Sequence, residues 1–224
     1  MNSSKFFSAR NISFLAILLA LVVVLQALGG SINIGLVQLN FTLIPIVLGA
    51  LLLGPIAGGV LGFACGVVVL IQVIIAPAGF YYIIWTFSPV VTVFTCIVKT
   101  TVAGFVAGIL FNIVKKKNKH VAVFLASGIV PIINTALFIV GCLCMNSSIT
   151  AFQGMLDGFG GMNILVFILV GLVTFNFFFE FAINLLVSPA LYRVIKIVDK
   201  SDDTDEDDED NSEDTEDSSE NEKE

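Results

Sequence analysis

Residues 39–66 read LNFTLIPIVLGALLLGPIAGGVLGFACG, a stretch without one charged side chain. The hydrocarbon core of a bilayer is about 30 Å thick, and a helix needs about 20 apolar residues to cross it. Lipid offers the backbone no hydrogen-bond partners, so each N–H and C=O must be paired within the chain. Apolar runs of this length therefore imply helices, and the strict apolar and polar alternation of a membrane β-barrel is absent. A Gly-Pro turn at Gly54 and Pro55 divides the stretch into a short helix carrying Pro45 and a glycine-rich one that continues to Ala76.

Working outward, the same reading predicts six spans, over residues 12–28, 39–53, 56–76, 83–114, 121–145 and 162–192. The second is the shortest, which suits a tilted, broken or partly re-entrant segment. Composition agrees: 57% of the 224 residues are hydrophobic and 20 are Phe, leaving too little polar surface to clothe a soluble core. The fold class read here is an all-α membrane protein with six transmembrane helices.

Orientation follows from Lys and Arg, which are retained on the cytoplasmic side. Lys5 and Arg10 precede the first span, Lys115, Lys116, Lys117 and Lys119 lie between the fourth and fifth, and Arg193, Lys196 and Lys200 follow the sixth. The gaps at 29–38, 77–82 and 146–161 hold no Lys or Arg and a single acid, Asp157. Both termini are thus expected in the cytoplasm. The first span has the basic start of a signal peptide, but its apolar middle is long and Ala27-Leu28-Gly29 is a poor cleavage site, so it reads as a retained anchor.

Three regions are expected: a cytoplasmic N-terminus at 1–11, a six-helix domain at 12–196, and a disordered acidic tail at 197–224. From Ser201 onward the chain holds fifteen acids and one Lys, a net charge of −14, whereas the preceding residues sum to +7. Such a tail cannot bury a core, and a solvated segment repelled by anionic lipid is its plainest role. The cysteines Cys65, Cys96, Cys142 and Cys144 fall in apolar runs and read as small core residues rather than disulfide or zinc positions.

Helices in lipid approach closely through small residues in register. Gly54, Gly58, Gly62 and Gly66 recur every four residues, Ala16 and Ala20 share that spacing in the first span, and Gly104 and Gly108 in the fourth. These faces suit packing within the bundle or the reception of another subunit. Polar side chains within spans face a cavity or a partner, because each is costly in hydrocarbon. Gln26, Gln38, Asn40, Gln72 and Asn163, with Tyr81, Tyr82 and Trp85, converge on the outer half and suggest a pocket for a small polar ligand with an apolar portion.

Two charges lie deeper. Lys99 and Glu180 fall ~24 Å and ~26 Å below the outer ends of their spans. Either alone would cost about 2.5 to 3.5 kcal/mol at mid-membrane, so they are expected to pair, with Asn176 and Asn184 completing the network. No Walker A loop, H-E-x-x-H, G-x-S-x-G or C-x-x-C occurs, His120 reads as an ordinary loop residue, and neither metal, cofactor nor nucleic acid is called for. No repeat of one three-helix half in the other suggests a self-sufficient secondary transporter.

The stretch at 39–66, with its short span, Gly-Pro turn and glycine-rich helix, resembles the substrate-binding S components of energy-coupling factor (ECF) transporters. Ala16-Ile-Leu-Leu-Ala20 is similar to the motif by which those proteins dock on a shared transmembrane T component, and NLLVSPALYR from Asn184 to Arg193 adds to the likeness. The resemblance implies a six-helix subunit of a cell membrane, bacterial in origin. It would capture a vitamin or related micronutrient from outside and deliver it by toppling, while two cytoplasmic ATPases drive the T component. It implies docking by Ala16, Ala20, Gly58 and Gly62, a gate at 29–38, and substrate contacts from Asn40, Tyr82, Trp85, Asn134, Asp157 and Asn163. Riboflavin, folate and pantothenate fit equally well. The competing reading is a membrane scaffold or assembly protein that moves no solute; an enzyme would need a cluster of acids, bases or ligands that these residues do not form.

Overall fold

The computed structural model of the chain describes residues 9–29, 33–34, 37–38, 40–76, 81, 84–86, 88–144 and 174–220. Helix α1 is Ala9–Gly29. A short antiparallel ladder follows, β1 (Asn33–Ile34) with β2 (Val37–Gln38), pairing Asn33 with Gln38 and Ile34 with Val37. Then come α2 (Leu43–Leu52), α3 (Pro55–Ile75), α4 (Pro89–Val114), α5 (Lys119–Cys144) and α6 (Thr174–Glu220). Among the described residues, five segments are long and apolar enough to cross a membrane: Arg10–Gly29, Pro55–Ile75, Pro89–Val114, Lys119–Cys144 and Asn176–Val198. With α2 as a sixth, shorter apolar helix, this is the all-helical membrane class read from the sequence. The outward faces are apolar, with Ile17, Phe94 and Ile113 each nearly two-thirds exposed, as helices solvated by lipid require.

The expected second span is corrected in length. Ten residues at about 1.5 Å each give α2 about 15 Å, half the hydrocarbon thickness. Pro45 causes no break, because it sits in the first turn, where a backbone N–H has no intrahelical acceptor. What ends the segment is Gly54, whose φ of 95° is open to glycine and strained for other residues, followed at once by Pro55 in the opening turn of α3.

The fourth expected span is corrected at its start. Backbone at 84–86 is helical, but Ser88 is driven to φ −150° and ψ 74° by the following Pro89, and α4 begins there. Asn118 opens α5: its Oδ1 accepts the N–H groups of His120 at 3.0 Å and Val121 at 3.2 Å, filling two of the donors that a helix start leaves unpaired. Of the sixth expected span, residues 162–173 lie outside the described residues. Helix α6 runs from Thr174 into the acidic segment as far as Glu220, where like charges four apart oppose helix and composition predicts an unfolded tail. The chain forms two compact units, Met1–Ser188 and Pro189–Glu224.

Within the first unit a glycine seam joins α3 to α4. A Cβ on Gly58 would lie 2.5 Å from the Gly104 carbonyl oxygen, and one on Gly104 only 2.2 Å from that of Gly58. Gly62 meets the Thr100 carbonyl, Gly66 that of Cys96, and Gly108 the backbone of Pro55. Thr100 Oγ1 crosses the seam to donate to the Gly62 carbonyl at 2.6 Å. Backbone contact of this closeness is what small residues in register permit.

Candidate functional site

Glu180 lies on α6 and is 3% exposed, with Asn176 and Asn184 one turn to either side. Asn176 Nδ2 donates to Glu180 Oε1 at 3.0 Å, and Asn184 Nδ2 donates to the Glu180 backbone carbonyl at 2.9 Å. The backbone N–H of Asn40 donates to the same Oε1 at 3.1 Å. That bond ties the segment entering α2 to a helix 140 residues later in the chain. Asn134 of α5 lies close to the carboxyl, and the charge of Lys99 acts on it from α4.

Lys99 and Glu180 nonetheless form no ion pair. Lys99 Nζ donates to the Tyr81 hydroxyl at 2.9 Å, with the ring centroids of Tyr81 and Phe138 at 5.6 Å and 5.3 Å. The cation is thus held by a phenol and two aromatic faces rather than by the carboxylate. Its depth also differs from the sequence estimate, because α4 starts at Pro89 and places Lys99 about 15 Å along the helix.

A second polar chain continues from Asn40. Its Oδ1 accepts the Thr42 N–H at 3.2 Å and the Thr42 hydroxyl, closing a turn before α2. The Thr42 hydroxyl is 3.0 Å from Cys65 Sγ. Gln26 and Gln72 satisfy each other: Gln26 Nε2 donates to Gln72 Oε1 at 3.0 Å, and Gln72 Nε2 to the Gln26 carbonyl at 3.1 Å. They hold α1 against α3.

Around Glu180 the pairing is incomplete. Glu180 Oε2, the Oδ1 atoms of Asn134, Asn176 and Asn184, and Ser127 Oγ are buried without a hydrogen-bond partner. Pro131 of α5 has no N–H, so the Ser127 carbonyl also loses its helical donor. A narrow groove beside this cluster, nowhere wide enough to enclose a water molecule, is lined by Asn40, Phe41, Ile44, Phe179, Glu180, Ile183 and Asn184. Buried polar atoms of a folded protein are almost always paired, by protein, water or ligand.

The family model of the ECF transporter substrate-specific component matches residues 10–192. The chain belongs to that family. A search of curated proteins finds no match. As an S component it is a substrate-specific, multi-pass membrane subunit of an ECF importer, a class that works with a T component and ATPases.

Of the substrate contacts expected from the sequence of this S component, Asn40 and Asn134 both lie at Glu180. Trp85 is half-buried in the helical backbone at 84–86. Tyr82, Asp157 and Asn163 lie outside the described residues. Of the expected docking residues, Ala16 and Ala20 are exposed on α1, whereas Gly58 and Gly62 are buried and faced by α4, so their face is occupied within the bundle. Asn176 and Asn184 join Glu180 as their one-turn spacing suggests. Two features escaped the sequence: Tyr81 as the partner of Lys99, and the Asn40 backbone as a donor to Glu180. Neither has a local signal, since both depend on which helices become neighbours.

Proposed function

We propose that this S component captures a vitamin or related micronutrient from outside and passes it through a shared T component driven by two ATPases. The observation that carries the reading is the polar centre at Glu180 within a chain of this family: buried amide and carboxyl oxygens without partners, beside a groove that Asn40 and Asn184 help to line. A charged group at that depth is retained where it faces a partner or a solute. The substrate would enter from the end of α5 and the start of α6, with the ladder of β1 and β2 beside the entrance, and both termini in the cytoplasm. Ala16 and Ala20, exposed on α1, would meet the T component.

The test is copurification from membranes. The tagged chain should bring down a transmembrane partner and two ATPases, and mass spectrometry of the denatured protein should find a small organic molecule in near-stoichiometric amount. A chain that carries neither is a scaffold, and the uptake reading falls.

A further inference from the structure

Residues 115–119 read KKKNK and join two apolar helices, α4 ending at Val114 and α5 starting at Lys119. Four ammonium groups thus fall within five residues. Lys115, Lys116 and Lys117 are exposed, and the charge of Lys115 bears on Lys119. Like charges this close repel. The unit they belong to offers little relief, since residues 1–188 hold only two acids: Asp157, outside the described residues, and Glu180, 3% exposed within the bundle. Retention of lysines on one side of a membrane accounts for where the link lies and not for what neutralises it.

The place at which the lysines emerge points to the counter-charge. Lys115 Nζ lies 5.3 Å from the centroid of the Phe111 ring, one turn back along α4, so its stem follows the helix toward the apolar span. Ile113, two residues before the lysines, and Val121 and Phe124, just after them, are exposed. Apolar side chains there need acyl chains as neighbours, and the ammonium groups beside them need anions. One molecule supplies both, a phospholipid of net negative charge. A soluble phosphate leaves the apolar side chains uncovered, and a zwitterionic lipid brings a cation of its own to the lysines.

We propose that the link between α4 and α5 is a docking surface for an anionic phospholipid, with the phosphate at Lys115, Lys116 and Lys117 and the acyl chains against Ile113 and Val121. Such a lipid would accompany the S component whatever its substrate.

The test titrates the full chain, in neutral detergent at low ionic strength, with dioleoylphosphatidylglycerol or dioleoylphosphatidylcholine, and reads bound lipid by native mass spectrometry. The two lipids share their acyl chains and a phosphate, and only the first is anionic. It should bind about tenfold tighter or more, since each lysine near an anionic surface is worth about fivefold, and about 0.5 M salt should remove most of the difference. Changing Lys115, Lys116 and Lys117 together to Gln should bring the two lipids within about twofold of each other, whereas changing all three to Arg, which keeps the charge, should preserve the preference. If the triple Gln variant does not accumulate, Lys116→Gln alone should weaken binding of the anionic lipid by about fivefold. Arg193→Gln with Lys196→Gln removes two charges of the second unit and should leave the preference unchanged; an equal loss there would mean that net charge, and not this link, selects the lipid. Competition by sn-glycerol 3-phosphate would mark a site for free phosphate, and a carbodiimide cross-link from a lysine of 115–119 to an acid of 201–224 would mark the chain's own tail as the occupant. Either result, equal affinity for the two lipids, or an undiminished preference in the Gln variants overturns the proposal.

Discussion

Gly62 and Gly59 are three residues apart on α3, yet the structure gives them opposite roles. A Cβ on Gly62 would lie 2.2 Å from the Thr100 carbonyl oxygen, backbone that can yield only by moving α4. A Cβ on Gly59 would find its nearest neighbour at 3.7 Å, on Phe105. Gly62→Ala should therefore destabilise the protein by about 1–3 kcal/mol, lowering the melting temperature in detergent. Gly59→Ala should be neutral or slightly stabilising, since alanine is the better helix residue. Equal effects in the two variants would show that the seam is not where α3 and α4 meet. At this scale the sequence reading saw that the glycines share a face; it left open whether that face was for this chain or for another.

At the scale of elements, helix direction relative to the membrane can be read through one native thiol. Cys144, at the end of α5, is exposed, whereas Cys65, Cys96 and Cys142 are buried. The lysines at 115–119 predict that the link between α4 and α5 lies in the cytoplasm, which would put Cys144 on the exterior. A membrane-impermeant maleimide should label it in intact cells, and Cys144→Ser should remove the signal. In that background Lys116→Cys should react only after permeabilisation. The reverse pattern overturns the orientation. The element that the sequence judged least well is α2: an apolar count sees 39–53 as one run, but the turn that Asn40 makes with Thr42 delays the helix to Leu43. The segment that precedes it carries the Asn40 N–H, which donates to Glu180.

For the whole molecule, division of labour among helices is the property to test. The polar centre draws on α4, α5, α6 and the entry to α2, whereas the exposed alanines lie on α1. A bulky residue on that face, Ala20→Trp, should reduce the T component and ATPases recovered with the chain several-fold, while bound small molecule per mole of protein stays the same. Loss of both together would place α1 in the substrate site instead. The sequence by itself determined the membrane class, the number of apolar segments and the local trio of Asn176, Glu180 and Asn184, because hydropathy, charge counts and one-turn spacings are properties of neighbouring residues in the chain. Only the tertiary structure decided that Lys99 turns to Tyr81 rather than Glu180, that Gly58 and Gly62 are covered by α4, and that the Asn40 N–H reaches the Glu180 carboxylate. Each of these is a contact between segments far apart in sequence, and its energy depends on helix neighbourhood and register, which no local pattern records.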